Sequence, residues 1–491
     1  MWLMMKKLLI LFLGFLGVLT GCINSGETNS QTPAQFSKSS LKGQYTYRLV
    51  GLLYTTSAQV PYAEAGIFTA DGNGNITSGT DDVVENGAAL FTTSTSGTYS
   101  IVDDGTGYII LNNAAFGTIT LAVKLASSSM LYIIEEDNAN ASGVAELQDS
   151  STLSMMPGGA YAFKIHDRAT ASRVGVFAVS NGAVTGSEDI LAAGVLNDNT
   201  GNPLTISGSL QTPSAGRGSG SFSDGASTVQ FEYYIVNANN IRILRTDSGL
   251  VSLGRAEAQS GGPFSNASFS GSYAFGSRAD DIVTVNGVNT VGEISGDGNG
   301  NISGGVYDSV RDGTAYSGIS IGPGTYSVSS NGRSLLNFAT AISSSVQQIF
   351  WMVSPSRAFF LSNDPNKEED GIADLQQSGT FSNSSLSGSY AFVMDGFITG
   401  SYNVDGLGWI QGDGAGNMTW NQGVNDGGVF NSTSGTLSGT YSVGSNGRVT
   451  ATISGVSQAN NDLILYLISN SSAYLSQNVS GYEMLGTMDL Q

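Results

Sequence analysis

Apolar and polar positions alternate along most of the chain in short runs, and turn-forming residues separate these runs. A period of two is typical of a strand with one buried face. Residues 271–376 divide into eight such runs: "GSYAFGS", "NTVGEIS", "NISGGVYDS", "GTYSVSS", "SLLNFATA", "VQQIFWMV", "RAFFLS" and "GIADLQ". No segment sustains the 3.6-residue period of an amphipathic helix, so the pattern predicts an all-β protein.

This pattern occurs four times in the chain. The opening runs are "GQYTY", "GAYAF", "GSYAF" and "GSYAF", starting at Gly43, Gly159, Gly271 and Gly388. The closing runs are "VAELQ", "RAEAQ", "IADLQ" and "TMDLQ", ending at Gln148, Gln259, Gln376 and Gln491. Solenoid repeats span only about 20 to 50 residues, so units of this length each close their own core. We predict four β domains over residues 41–150, 157–260, 268–378 and 385–491.

The fold that this spacing favours is a small antiparallel up-and-down barrel in each domain, because closure removes exposed strand edges. A two-sheet β-sandwich is the alternative. Each opening run carries two aromatic residues spaced by two, which therefore point to one face: Tyr45 and Tyr47, Tyr161 and Phe163, Tyr273 and Phe275, Tyr390 and Phe392. The Gly-x-aromatic opening is similar to the first strands of avidins and lipocalins, a resemblance that implies a barrel architecture and no particular ligand.

The amino terminus reads as an export signal. Lys6 and Lys7 precede an apolar run from Leu8 to Val18, which is shorter than a membrane-spanning helix requires. The following Leu-Thr-Gly-Cys quartet, ending at Cys22, resembles the lipobox of bacterial lipoproteins. This resemblance implies a signal peptide over residues 1–21 and acyl chains on Cys22, which anchor the protein to membrane lipid. A buried apolar role is the alternative for this cysteine, the only one in the chain.

Residues 22–40 are small and polar after the lipidated cysteine, as in a flexible tether. Ile23, rather than aspartate, follows the cysteine. By resemblance to Gram-negative lipoproteins, this implies the outer membrane rather than the inner one, and we predict a place at the outer membrane or the cell surface. The predicted location is therefore the cell envelope, outside the cytoplasm.

Composition restricts the partners. The chain of 491 residues carries 19 Lys and Arg against 39 Asp and Glu, a formal net charge of −20. Such a surface repels phosphate backbones, so nucleic acid is not an expected partner. Charged residues make up only 12% of the chain, and the abundance of Gly, Ser, Thr and Asn suits strands and turns better than helices.

One recurring motif invites a metal interpretation. "DGNGNIT" begins at Asp71, with related stretches at Asp297 and Asp413 and a counterpart around Asn181. A calcium loop of the EF-hand type needs Gly at its sixth place, where this chain has Ile76, and a Glu at its twelfth, where it has Asp82, Asp308 or Val424. Asp-Gly and Asn-Gly favour hairpin turns. We therefore predict a hairpin tip between the second and third strands and no metal site.

Two further motifs have both a structural and a chemical interpretation. "SNGR" at 330–333 and 445–448 predicts a second hairpin turn in which the arginine opens the next strand. The pairs Asp81-Asp82, Asp103-Asp104 and Asp280-Asp281 have the residue types that glycoside hydrolysis uses. Aspartate is also favoured in turns, and we predict that these are solvated loop acids.

Catalytic residues are not expected. His166 is the only histidine, so any Ser-His-Asp set must use it, and three of the four domains have no counterpart. We predict an ordinary strand residue near a turn. Zinc lacks its usual nitrogen and sulfur ligands. The sequence predicts no cofactor.

The function expected from these features is non-enzymatic adhesion or envelope interaction by tandem modules on a lipid anchor, with a surface glycan or envelope protein as partner. Trp409 and Trp420 are candidate glycan contacts, although core packing is the commoner role of such residues. The alternative is a small apolar ligand inside each barrel, which requires an unfilled lumen. A carboxylate-based hydrolase is a weaker alternative.

Overall fold

A computed structural model describes residues 35–491 apart from 55–58, 92–93, 114–116, 138, 168–170, 193, 198–200, 282–285, 365–366, 400–401, 433–434 and 455–460. The predicted signal segment and Cys22 lie outside the described residues. No helix in the described part is long and apolar enough to cross a membrane.

Strands dominate the chain, and three short 3-10 helices precede the first, third and fourth sets of strands. These helices are Lys38–Ser40, Asn266–Ser268 and Asn383–Ser385. Barrel 1 consists of β1 Lys42–Tyr54, β2 Gln59–Asp71, β3 Asn75–Glu85, β4 Ala88–Phe91, β5 Thr95–Ile101, β6 Thr106–Asn113, β7 Gly117–Ser127, β8 Met130–Glu135 and β9 Ala139–Leu147. Barrel 2 consists of β10 Gly159–Asp167, β11 Ala171–Ser180, β12 Ala183–Ala192, β13 Val195–Leu196, β14 Leu204–Leu210, β15 Arg217–Ser223, β16 Thr228–Asn237, β17 Asn240–Arg245 and β18 Ser252–Ala258.

The second half of the chain repeats this plan. Barrel 3 consists of β19 Ser270–Asp281, β20 Asn286–Asp297, β21 Asn301–Arg311, β22 Thr314–Val328, β23 Arg333–Thr340, β24 Val346–Ser354, β25 Arg357–Asp364 and β26 Lys367–Leu375. Barrel 4 consists of β27 Ser387–Ile398, β28 Tyr402–Asp413, β29 Asn417–Asp426, β30 Val429–Ser432, β31 Leu437–Val443, β32 Arg448–Ser454, β33 Asn461–Ser469, β34 Ser472–Val479 and β35 Tyr482–Leu490.

Each set closes into an eight-stranded antiparallel barrel, because its first strand pairs with both the second and the last. In barrels 1, 2 and 4 the fourth strand is divided into two pieces, whereas β22 of barrel 3 is continuous. The eight runs found in the third repeat correspond to β19 to β26. The predicted all-β barrel fold is confirmed, and the sandwich alternative is wrong.

The aromatic pairs of the opening runs all lie inside their barrels. Each barrel has its own apolar core, to which the pair contributes with a side-chain exposure of 3% or less. Tyr45 stacks on Phe68 with ring centroids 5.4 Å apart, and Tyr161 stacks on Phe177 at 5.6 Å. These rings fill one end of each lumen, which we call the closed end. The lumen at the opposite end of the strands, the open end, is filled differently in each barrel.

The four barrels are joined in a closed ring, in which barrel 4 also contacts barrel 1. The glutamine that ends each closing run donates its Nε2 hydrogen bond to a backbone carbonyl of the next barrel. The four bonds are Gln148 to Ile235 at 2.5 Å, Gln259 to Met352 at 2.7 Å, Gln376 to Leu467 at 2.7 Å, and Gln491 to Leu125 at 2.7 Å. The recurring terminal glutamine is therefore an element of the joint between barrels.

The acidic residue two places before that glutamine also reaches the next barrel. Glu146 accepts two bonds of 2.5 Å from Arg242, and Glu257 pairs with Arg357 at 2.8 Å. The other two joints use tyrosine donors, from Tyr474 to Asp374 at 2.6 Å and from Tyr132 to Asp489. The closing run thus contributes two side chains to each of the four joints.

Three of the four joints contain a further buried aspartate that accepts hydrogen bonds from an arginine of the neighbouring barrel. Asp189 accepts bonds from Trp351 Nε1 at 2.8 Å and from Arg333 at 2.7 and 2.8 Å. In the next joint, Asp308 accepts from Tyr466 at 2.7 Å and from Arg448 at 2.6 and 2.8 Å, while Asp82 takes the same role with Tyr234 and Arg217. Each aspartate is fully buried.

The joint from barrel 4 to barrel 1 differs. Strand pairing places Gly423 where the other barrels have the buried aspartate, and Thr106 where the next barrel has its arginine. Three buried asparagines bond across this joint. Asn140 Nδ2 donates to the carbonyl of Asn403 at 2.6 Å, and Asn425 Nδ2 donates to that of Ala139 at 2.9 Å. Among the described residues, these amide bonds stand where the other three joints have the aspartate–arginine pair.

Candidate functional site

The "DGNGNIT" stretches form hairpin tips, as predicted. Asp71 connects β2 to β3, and its Oδ1 accepts the backbone N–H groups of Asn73 at 2.6 Å and Asn75 at 3.1 Å, while Oδ2 accepts Asn75 Nδ2 at 2.7 Å. Asp297 makes the same set of bonds. The bond from the Asn75 side chain is the main cause that lowers the pKa of Asp71 to about 2. These carboxylate oxygens hold the turn together.

The paired aspartates have different fates, and the solvated-loop prediction is wrong for the first pair. Asp81 and Asp82 lie in β3 and are both fully buried. Asp81 faces the lumen of barrel 1, whereas Asp82 faces the joint with barrel 2. Asp103 lies in an exposed turn, as predicted. The backbone of Asp280 and Asp281 ends β19.

Both "SNGR" stretches form the predicted hairpin turns, and their arginines open β23 and β32. Gly332 has a φ of 93°, and its N–H donates to the carbonyl of Ser329 at 2.8 Å. The sequence did not reveal that these arginines join neighbouring barrels. Arg333 and Arg448 each donate two hydrogen bonds to the buried aspartate of the preceding barrel. The recurrence of aspartate in the third strand of three repeats is the signal for these joints, since it complements the recurring arginine.

His166 lies near the end of β10, as predicted, at the joint between barrels 2 and 3. Its Nδ1 is 2.5 Å from Asp370 Oδ2 and 3.1 Å from Ser172 Oγ, and Ser172 itself bonds to Asp370 at 2.8 Å. A catalytic triad needs serine and aspartate on opposite ring nitrogens. Here both contact the same nitrogen, so this group has the geometry of a structural joint.

The two candidate tryptophans belong to barrel 4. Trp420 is only 3% exposed and packs on Phe392 with ring centroids 4.3 Å apart, so its proposed contact with a surface glycan is wrong. Trp409 is partly buried, and Lys124 Nζ of barrel 1 lies 6.0 Å from its ring centroid. Trp409 therefore belongs to the joint that closes the ring.

The lumens differ most at one level, directly beyond the aromatic pair. Strand register places one residue from each of the first three strands side by side at this level, facing inward. The four rows are Leu49, Glu64 and Val83 in barrel 1; Ile165, Arg173 and Ile190 in barrel 2; Ser277, Thr290 and Ser309 in barrel 3; and Met394, Gly406 and Val424 in barrel 4. The same backbone position thus carries an acid, a base, a hydroxyl or no side chain.

In barrel 1 this level is filled by buried carboxylates and phenols. Glu64 Oε1 accepts from Tyr47 at 2.8 Å, and Oε2 accepts from Tyr62. Asp81 accepts from Asn113 Nδ2 at 2.9 Å. Burial raises the pKa of Glu64, and burial together with the nearby Glu64 charge raises the pKa of Asp81 well above its ordinary value. The barrel is therefore suited to hold these carboxyls in protonated form.

In barrel 2 the same level holds an ion-pair network. Arg173 NH1 lies 2.9 Å from Glu188 Oε1 and 3.4 Å from Asp224 Oδ2. Burial raises the pKa of Glu188 to about 7, although the Arg173 charge opposes this shift. The arginine spans the lumen and ties the two carboxylates together.

Barrel 4 contains an apolar cavity of about 210 Å³ at its open end. Gly406 leaves space at the level directly beyond the aromatic pair. A Cβ at this position would have one neighbouring atom within 4 Å, Gln422 Oε1 at 3.9 Å. Met394, Met484 and Trp420 line the cavity, and Asp426 also contributes to its lining. An apolar lining with a few polar groups is typical of small-molecule sites.

One residue of this cavity lining also has a buried polar atom without a partner. Trp420 Nε1 makes no hydrogen bond within the described part of the chain and has almost no accessible surface. A buried donor without an acceptor costs about 1–3 kcal/mol. Because the atom is enclosed by protein, this donor does not face the cavity.

No family model and no curated protein matches the chain. Solved structures with similarity include the vaccine antigen transferrin binding protein B from Haemophilus parasuis Hp5, a double mutant, at 9% identity over 95% of this chain and 99% of that chain, with a TM-score of 0.19. Intact Ap-TbpB, with N and C lobes, is also 9% identical over 95% and 97% of the chains, with a TM-score of 0.20. TM-scores this low support no conclusion on fold or function.

Proposed function

We propose that this chain is a lipid-anchored, non-enzymatic binding protein of the cell envelope, and that barrel 4 binds a small apolar ligand. The observation that carries this proposal is the apolar cavity of barrel 4, which the missing side chain at Gly406 leaves unfilled. The sequence supports the location through the lipobox at Cys22. The closed ring of barrels supports the proposal of a binding site, because the joints hold barrel 4 in a fixed position.

The ligand chemistry follows from the lining. Methionine side chains adapt their shape to different apolar surfaces, and Met394 and Met484 both line the cavity. Asp426 and Asp462 are also among the lining residues and are only partly buried or exposed, so the overall site disfavours an anionic ligand. A neutral, mainly apolar molecule fits these groups.

The binding test is native mass spectrometry and tryptophan fluorescence of the full-length protein in detergent. We expect retained apolar ligand, or saturable quenching by a neutral aliphatic ketone probe, that Gly406→Leu weakens while the fold is kept, because the added side chain occupies the cavity. An empty protein that gives no saturable response to apolar probes would contradict the proposal.

The non-enzymatic character is tested separately. Asp426 and Asp462 line the same cavity, and glycoside hydrolysis needs two carboxyls in one cleft. We expect no turnover of nitrophenyl glycosides by the full-length protein. Turnover that Asp426→Asn abolishes would instead support the hydrolase alternative.

The anchor is tested with Cys22→Ser. We expect the variant to leave the membrane fraction, because the acyl chains supply the affinity for membrane lipid. The wild-type protein should incorporate labelled palmitate. A variant that remains membrane-bound would overturn the predicted lipidation.

Surface interaction is a second candidate function, which exposed apolar side chains favour. Leu90 and Phe91 of β4 are 43% and 53% exposed, and Val429 of β30 is 60% exposed. Both strands lie in the divided fourth strand of their barrels. We expect Phe91→Ser to reduce binding of whole cells to envelope or host-surface preparations while apolar-ligand binding by barrel 4 is unchanged. Equal adhesion by cells with and without the protein would exclude this candidate.

A further inference from the structure

Barrel 3 has a cavity of about 360 Å³ at its open end, and the lining of this cavity differs from that of barrel 4. Hydroxyl, amide, guanidinium and carboxylate groups line it together with aromatic rings. The continuous strand β22 contributes Tyr316 to the wall. The cavity therefore combines hydrogen-bonding groups with flat apolar surfaces.

In barrel 3, the row of residues directly beyond the aromatic pair consists of three hydroxyl side chains. Ser277 pairs in register with Thr290, and Thr290 pairs with Ser309. Thr290 Oγ1 lies 3.1 Å from Ser309 Oγ, and Ser277 Oγ donates to Glu369 Oε1 at 2.6 Å. Thr290 and Ser309 line the cavity, and because hydroxyls both donate and accept, these two can rearrange their hydrogen bonds around an incoming polar molecule.

Among the described residues that line the cavity, one is a cation and one is an anion. Arg311 NH2 is 4.0 Å from Glu369 Oε2, and the Glu369 side chain is only 5% exposed. The whole chain has a net charge of −20, which disfavours an anionic ligand. The fork of Arg311 and the carboxylate of Glu369 offer donors and acceptors to the hydroxyl groups of a neutral ligand.

The aromatic part of the wall depends on one glycine. A Cβ at Gly292 would lie 2.7 Å from Tyr307 Cβ and would also overlap the ring of Phe275. Gly292 thus lets the Tyr307 and Phe275 side chains approach each other in the lumen. Aromatic rings of this kind contact the apolar C–H faces of an otherwise polar molecule.

We propose that the open end of barrel 3 binds a neutral polyhydroxylated ligand of monosaccharide size. Three features recognise this ligand. They are the hydroxyl row, the pair of Arg311 and Glu369, and the aromatic wall. This site lies in a different barrel from the proposed apolar site and does not depend on it.

The test is saturation-transfer NMR and calorimetry of the full-length protein in detergent with a panel of neutral monosaccharides. We expect saturable binding of at least one sugar, and a loss of at least about tenfold in affinity in Glu369→Gln, since this near-isosteric change removes the charged acceptor. Tyr307→Ala should weaken binding as well. Thermal melting of each variant confirms that it is folded.

Gly406→Leu in barrel 4 is the matched control, and it should abolish apolar-probe binding while sugar binding is unchanged. The proposal is overturned if no sugar in the panel binds saturably, or if binding survives in both folded variants of barrel 3. Displacement of the apolar probe by sugar would also overturn it, because both ligands would then share one site.

Discussion

Barrels 1 and 4 have the same strand order and carry an opening run with an aromatic pair at the same place, yet their lumens offer opposite chemistry. At one register position, barrel 1 carries Glu64 and barrel 4 carries Gly406. Glu64 brings a network of buried phenols and carboxyls with it. Gly406 leaves an apolar cavity of about 210 Å³.

This difference shows that the residues which form the barrel and the residues which line its open end vary independently in this chain. The wall depends on alternation, turn glycines and the aromatic pair, which all four repeats share. The level beyond the pair tolerates an acid, a base, hydroxyls or an empty position. One repeated scaffold therefore encloses four interiors that are lined by different groups.

The largest effect is expected from breaking the joint that holds barrel 4 against barrel 3. Asp308→Ala leaves Arg448 and Tyr466 without their buried partner. Loss of one member of a buried pair costs about 3–5 kcal/mol, so the urea midpoint should fall markedly. Asp103→Ala, in an exposed turn, is the control and should change the free energy of unfolding by less than about 0.5 kcal/mol. Equal stability of the two variants would show that the joint contributes little.

Filling the empty position of barrel 4 is the most direct way to make the two lumens alike. The space around Gly406 admits a larger side chain, and its backbone is not in the left-handed region. We expect Gly406→Leu to lower apolar-probe affinity at least about tenfold, equal to about 1.4 kcal/mol, with the melting temperature maintained. Unchanged affinity in a folded variant would place the probe elsewhere.

The pH dependence of stability tests whether the buried carboxyl groups distinguish barrel 1 from barrel 4. The pKa values of Glu64 and Asp81 are raised by burial, so the native state binds more protons than the unfolded state above about pH 4. Stability is therefore greatest below the unfolded pKa and falls as pH rises through the native values. Glu188 in barrel 2, with a pKa of about 7, extends this fall towards neutrality.

Thermal melts between pH 4.5 and 7.5 should show this decline, and Glu64→Gln should reduce its slope. Gly406→Ala, at the same level of barrel 4, alters no titratable group and should leave the slope unchanged. A slope that Glu64→Gln does not affect would mean that this carboxyl is already ionised in the native protein.

The smallest effect is expected from one phenol of barrel 1. Tyr62→Phe removes a donor to Glu64 and leaves the ring in place. Such a bond contributes about 0.5–1.5 kcal/mol, and its loss should raise the pKa of Glu64 further. Tyr108→Phe, at a residue that is 45% exposed, is the control. Chemical denaturation measures both free energies, and no difference between them would argue against a bond from Tyr62.

Several site residues could be placed from the sequence, and the failures have a common cause. Asp71 and Asn331 were correctly predicted in turns because short-range hydrogen bonds and glycine conformations decide such segments. Asp81 and Asp82 were misplaced because aspartate is common in turns, and only their partners in distant strands explain their burial. Only the tertiary structure shows that Trp420 points into the core of barrel 4 and not toward a surface glycan.

The sequence by itself determined the fourfold repeat, the antiparallel strands, the turns between them and the inward faces of the aromatic pairs. These features depend on interactions between residues close in the chain and on a period of two. The tertiary structure alone decided that the barrels close into a ring, that Gln148 and its counterparts join neighbours, and that Thr290 and Gly406 line cavities. Such features depend on register and on packing between residues separated by tens to hundreds of positions, which no local pattern records.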